Sequence, residues 1–166
     1  AVQQQATGPV LNRMFHWAFL AGKRARHETA IAEGAVSVSS AAAALAREEL
    51  GNLADASALV VGTGEMGRLA ARHLMASGIG TMTVVSRTPD RGRDLAAELG
   101  ARSCVWEALP GEVAAAHLVI TATRATVPVL TVDTLVAWAA AGHRRLVIVD
   151  IAVPRDVDPM VARLAG

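Results

Sequence analysis

The stretch that most limits what this chain can fold into is Leu59-Val60-Val61-Gly62-Thr63-Gly64-Glu65-Met66-Gly67-Arg68-Leu69-Ala70. A short apolar run ends in Gly62, glycines recur at Gly64 and Gly67, and a helix-forming segment continues to about Ser77. Strand, tight turn and helix start, in that order, is the setting a dinucleotide-binding G-x-G-x-x-G requires. Each glycine then has a separate task. Gly62 permits the turn, Gly64 lets a pyrophosphate approach the backbone, and Gly67 lets helix and strand pack closely. The helix start offers N–H groups without partners and a partial positive charge. Thr63, Glu65 and Met66 complete the candidate turn. Taken alone, the pattern also occurs in turns with a purely structural role.

The hydrophobic period after Gly51 supplies the context. Short apolar strands are expected at residues 58–62, 82–86, 103–106, 118–122 and 146–151, with helices at 65–77, 91–99, 111–116 and 132–141 between them. Continuous apolar strands alternating with helices indicate a parallel sheet covered on both faces. Right-handed crossovers make it an α/β doubly wound sheet of the Rossmann, NAD(P)-binding type. Before Gly51 the pattern is helical. Leu11, Met14, Phe15, Ala18, Phe19 and Gly22 form an i, i+3, i+4, i+7 stripe with a basic end. A second helix runs to Leu50, with Ser37 or Ser39 as its cap and Gly51 as its stop. The expected division is a helical lead-in over 1–50, packing on or linking to a nucleotide domain over 51–166.

Composition removes several classes of function. A hydrophobic share of 52% is enough for a core in a chain of 166 residues, built from aliphatic side chains because Phe, Trp and Tyr number only 2, 3 and 0. A net charge of +1 gives no electrostatic footprint for nucleic acid or an anionic membrane. The single cysteine, Cys104, excludes an intrachain disulfide and a thiolate metal cluster, and it reads as a small hydrophobe inside a strand. The five histidines are scattered without ligand spacing. No apolar run approaches the ~18 residues of a membrane span. A cytoplasmic location is expected. Ala1 is not a methionine, and the last residues read as a helix cut short, so a piece of a longer protein is expected.

The second informative place is the end of strand two, Ser86-Arg87-Thr88, which begins 24 residues past Gly62. An NAD-preferring fold puts a carboxylate here to accept from the ribose hydroxyls. A guanidinium between two hydroxyls instead suits a 2′-phosphate, which a carboxylate would repel. NADP(H) is therefore expected over NAD(H). After strand four, Thr121, Ala122 and Thr123 stand where the nicotinamide half of the cofactor would run. The closing segment from Asp150 to Pro159 carries acidic residues, read as caps or as partners of Arg155 in preference to catalytic groups. No catalytic or metal-ligating residue is assigned.

Together, Gly34–Ser39, Gly62–Gly67, Ser86–Thr88 and Val149-Asp150-Ile151-Ala152-Val153-Pro154-Arg155-Asp156-Val157-Asp158-Pro159 resemble the nucleotide-binding part of the glutamyl-tRNA reductases. Gly8–Phe15 and Gly22–Thr29 resemble that family's lead-in, so the likeness covers nearly the whole chain. Ser86 stands where the family usually has Asn, and Arg124 where Gly is common. The resemblance implies an enzyme that takes glutamate from glutamyl-tRNA(Glu) as an enzyme-bound thioester. NADPH then reduces it to glutamate-1-semialdehyde for 5-aminolevulinate and tetrapyrrole synthesis. It also implies that the nucleophilic cysteine and the glutamyl-tRNA contacts belong to an N-terminal domain, and homodimer contacts to a C-terminal one. Cys104 does not match the nucleophile, so this chain is expected to bind cofactor without completing the reaction. The alternatives are a shikimate-dehydrogenase-like reductase, which shares the glycine turn and the arginine after strand two, and a nucleotide-binding module without enzymatic role.

Overall fold

The computed structural model describes residues 8–28, 37–142 and 145–164. The chain divides into two compact units, residues 1–36 and 37–166. In the first, helix α1 (Pro9–Glu28) opens on a proline, whose fixed φ and missing N–H suit a first turn. Arg24 pairs with Glu28 one turn on. The connection expected over 28–35 lies almost wholly outside the described residues.

The second unit opens with helix α2 (Val38–Leu50). Ser37 is its cap and accepts from the Ser40 N–H, and Gly51 at φ +72° ends it. The alanine run gives α2 a flat face on which Ala42, Ala43 and Ala46 are buried against helix α3 (Glu65–Ala76). Side chains this small let two helix backbones approach closely. The boundary drawn near Gly51 from the sequence thus falls inside one continuous core. Ser39 is not a cap: it is buried and donates to the Met66 carbonyl oxygen.

After α2 the expected doubly wound sheet follows. Strands β1 (Ser57–Val61), β2 (Thr81–Val85), β3 (Arg102–Cys104), β4 (Leu118–Thr121) and β5 (Val147–Asp150) are all parallel, in the order β3-β2-β1-β4-β5. At the centre Val60 lies level with Val84 of β2 and Ile120 of β4. Strand alternation sends successive residues to opposite faces. Val60, Met82, Leu118 and Ile120 meet α2 and α3 on one face, and Val84 meets Leu95 and Ala96 of α4 (Pro89–Leu99) beside them. On the other face Leu59, Val61, Val85 and Val119 meet Leu109 and Val113 of α5 (Leu109–Ala115) and Leu135 of α6 (Val132–Ala140). Each such aliphatic side chain stabilises the fold by about 1.5–3 kcal/mol on full burial.

The helices change face between β1 and β4, where the strand order turns back. In an open sheet of this kind the ligand crevice lies at that switch point, outside the carboxyl ends of the strands. The observed strands stop a residue or more short of their expected ends. Gly62 has left β1 for the turn, and Trp106 lies in a 3-10 turn over Trp106–Ala108 that follows β3. The last turn, Pro159–Arg163, is also 3-10, with Asp158 as its cap through the Met160 N–H.

Because Ala46 is fully buried whereas Ala44 is exposed, Ala46→Leu should lower unfolding stability by about 1–3 kcal/mol through overpacking. Ala44→Leu should change it little. Urea unfolding of the two variants checks this.

Candidate cofactor crevice

Gly62 has φ +103°, and a methyl there would stand 2.6 Å from the Ala122 carbonyl oxygen. A methyl on Gly67 would stand 2.3 Å from the carbonyl oxygen of Gly62. Both glycines are therefore required by the packing of β1, α3 and the turn after β4. Gly64 differs, since a methyl there would meet nothing nearer than 3.9 Å and its φ of −67° is open to any residue. The bare backbone at Gly64 serves no packing need of the fold.

The start of α3 has no side-chain cap, and its first intrahelical bond runs from the Arg68 N–H to the Gly64 carbonyl. The N–H groups of Glu65, Met66 and Gly67 thus have no intrahelical acceptor and stand at the positive end of a helix of 12 residues. Glu65 and Met66 are exposed, while Gly67 is buried.

Two grooves meet at this turn. The smaller, about 150 Å³, runs between Gly62–Gly64 and the end of β2, where Ser86, Arg87 and Thr88 line it with Arg91, Trp106 and Arg124. Ser86 is buried. Its hydroxyl lies 3.1 Å from that of Thr63 and accepts from the Thr88 N–H at 3.2 Å, which fixes the loop against the glycine turn. Arg87, Arg91 and Arg124 are exposed, and among the described residues none of them forms an ion pair. Three guanidiniums without counter-ions beside helix N–H groups make the groove a place for anions. The larger groove, about 690 Å³, continues past Gly64, Glu65 and Met66 to Asp150–Val153, with Ala122, Thr123 and Arg124 shared between the two.

The candidates from three separate strand ends, Gly62–Met66, Ser86–Thr88 and Ala122–Thr123, thus line one continuous crevice. Gly67 and Thr121 line neither groove. Thr121 is fully buried, and its hydroxyl donates to Asp150 at 3.0 Å. The acidic residues do not pair with Arg155, which makes no ion pair among the described residues. Asp150 and Asp156 instead accept from backbone N–H groups and threonine hydroxyls. Arg91 is not among the residues expected from the sequence, although its place four residues past Arg87, on the first turn of the helix that Pro89 starts, signals it. Trp106 gave no such signal.

A depression of about 500 Å³ lies at the other edge of the sheet, by the amino ends of β1, β2 and β3. Its cation, Arg102, is taken up by Glu112 at 2.5 Å and by the Thr83 hydroxyl at 3.0 Å, so it offers an anion much less. Cys104 is half-buried, and burial, with Glu112 nearby, pushes its thiol above the usual range. Among the described residues there is no metal-ligating cluster, and no helix is long and apolar enough to cross a membrane.

Comparison with known proteins agrees with this geometry. The chain belongs to the shikimate / quinate 5-dehydrogenase family, whose model matches residues 44–166. It is 42% identical over 166 residues to the glutamyl-tRNA reductase of Rubrobacter xylanophilus, covering 100% of this chain and 39% of that relative. It is 45% identical over 159 residues to the glutamyl-tRNA reductase of a Synechococcus species, covering 95% of this chain and 37% of the relative. The solved glutamyl-tRNA reductase of Methanopyrus kandleri superposes with a TM-score of 0.71 at 41% identity, over 97% of this chain and 41% of that one. The chain therefore spans about two fifths of the length of these relatives.

Two outcomes are expected from this geometry. Gly62→Ala should destabilise the fold by about 1–3 kcal/mol, while Gly64→Ala should stay within about 0.5 kcal/mol of the parent chain in the same unfolding assay. With its thiol pushed upward, Cys104 should remain protonated at neutral pH. It should react with a disulfide reagent much more slowly than a free thiol, and faster once the chain is unfolded.

Proposed function

We propose that this member of the shikimate / quinate 5-dehydrogenase family is the NADPH-binding domain of a glutamyl-tRNA reductase. The observation that carries the cofactor reading is the end of β2. No carboxylate stands there, and Arg87 and Arg91 face the groove beside Thr88 without counter-ions among the described residues. A 2′-phosphate would receive charge-assisted hydrogen bonds from this set, each worth about 1.5–3 kcal/mol. The free N–H groups at the start of α3 suit the pyrophosphate, and the bare Gly64 backbone admits it. Ala122 and Thr123 lead from there into the larger groove, about 690 Å³, where the nicotinamide half would lie.

When bound, NADPH supplies a hydride from its nicotinamide ring. The residues of this chain bind and orient it: Arg87, Thr88 and Arg91 hold one end, the helix start the middle, and Thr123 with Ala122 the other. Orientation of this kind is a large part of a rate enhancement, because it converts an encounter into a positioned reaction. The substrate identity comes from the relatives, which are named for glutamyl-tRNA and match along nearly the whole chain. In this reading the tRNA contacts, the acyl-forming cysteine and the homodimer contacts lie in the remainder of the parent protein. That parent works in the cytoplasm, supplying 5-aminolevulinate for tetrapyrroles. The isolated chain binds NADPH and does not turn over.

Calorimetric titration tests the reading. NADPH should bind at least about tenfold tighter than NADH, a difference of ~1.4 kcal/mol. Arg87→Ala and Arg91→Ala should each weaken NADPH by about tenfold and leave NADH nearly unchanged. Absence of binding by either nucleotide would end the cofactor reading, and equal losses for both would remove the case for the phosphate.

A further inference from the structure

The turn after β4 is held from beneath by two carboxylates that the proposed binding scheme does not use. Asp156 is fully buried and devoted to one residue: its Oδ2 accepts the Thr123 N–H at 2.8 Å and its Oδ1 the Thr123 hydroxyl at 2.5 Å. Asp150, at the end of β5, holds Asp156 in turn. Its Oδ2 accepts the N–H groups of Asp156 and Val157 at 2.8 and 3.0 Å, and its Oδ1 the Thr121 hydroxyl and the Ala152 N–H, both at 3.0 Å. The Asp156 carbonyl oxygen also accepts from Val129 and Leu130 ahead of α6, at 2.7 and 2.9 Å.

Neither carboxylate has a cation partner among the described residues. Hydrogen bonds alone satisfy them. A buried charge is tolerated only where such bonds are complete, so the donors are held as firmly as the acceptor. The held turn lies against the glycine turn: a methyl on Gly62 would stand 2.6 Å from the Ala122 carbonyl oxygen. Its upper side, Ala122 and Thr123, forms the wall between the two grooves.

From this arrangement we infer that Asp156 is a positioning residue for the nicotinamide half of the cofactor, acting through Thr123, while Asp150 fixes Asp156 itself. The inference rests on the cofactor reading above. Arg87, Thr88 and Arg91 belong to other elements and do not depend on Asp156, so that of the three guanidiniums in the smaller groove only Arg124, next to Thr123, is carried by the turn that Asp156 holds. Disturbing Asp156 should loosen the nicotinamide end far more than the adenosine end, which keeps Arg87, Thr88 and Arg91. A fold held together by Asp156 would instead fail at both ends alike.

The test titrates the full chain with NADPH and with adenosine 2′,5′-bisphosphate, which carries the 2′-phosphate and lacks the nicotinamide. Asp156→Asn keeps the shape but cannot accept both donors from Thr123. It should weaken NADPH by about tenfold and alter adenosine 2′,5′-bisphosphate by less than about twofold. At saturating NADPH, the nicotinamide fluorescence of the variant should be less enhanced than in the parent chain. Should that variant not fold, Thr123→Val removes the bonded hydroxyl at constant shape and should give the same split. Equal weakening of both ligands in a folded variant, or unchanged NADPH binding, overturns the inference and leaves the cofactor reading intact. If the parent chain binds neither ligand, the cofactor reading falls and the inference with it.

Discussion

Gly62 and Gly67 make the contact on which the rest of the structure depends. The carbonyl oxygen of Gly62 lies so near Gly67 that a methyl would come within 2.3 Å, and Gly62 itself takes φ +103° to bring that about. This approach sets helix α3 directly onto the end of β1. Three consequences follow from it. The N–H groups at the helix start face the switch point, the turn after β4 can lean on the glycine turn, and Ala70, Ala71 and Leu74 reach the core on the face where α2 adds its alanines. Larger side chains at the two glycines would separate β1 from α3 and open the crevice from inside.

The charges around the crevice are sorted by what the fold already uses. Asp150 and Asp156 are consumed by backbone N–H groups and threonine hydroxyls. Glu98, on the outer face of α4, is held below its usual range first by Arg72 and also by Arg68. Those pairs are exposed and contribute little to stability. Among the described residues, Arg87, Arg91 and Arg124 line the smaller groove without an ion pair beside the start of α3, whereas the unpaired carboxylate at this edge, Glu65, lines the larger groove. A chain with a net charge of only +1 thus presents a local anion site, because three guanidiniums gather at one groove beside a helix start.

The sheet, its helices and the glycine turn were legible because they rest on local patterns: apolar runs, helical spacing, and glycines where nothing larger fits. The end of β2 was legible for a similar reason, since the carboxylate that an NAD site needs is missing from a known position. Three features were not. The place of α2 depends on small side chains meeting α3, and an alanine run reads equally as a solvent-exposed helix. Trp106 enters the groove only because β3 stops at Cys104, an end set by pairing with β2. In the acidic closing segment the cap at Asp158 is legible, because Pro159 follows it, but the roles of Asp150 and Asp156 are not. Their threonine partners, Thr121 and Thr123, are some thirty residues away in sequence and adjacent only in the folded sheet.

In the proposed function, the crevice at the carboxyl ends of β1, β2 and β4 receives NADPH across its full length. Backbone amide chemical shifts during an NADPH titration check this residue by residue. Shifts are expected at Gly64, Glu65 and Met66, at Arg87, Thr88 and Arg91, and at Thr123. Shifts confined to the opposite edge of the sheet, at Ser57, Thr81 and Arg102, would contradict it.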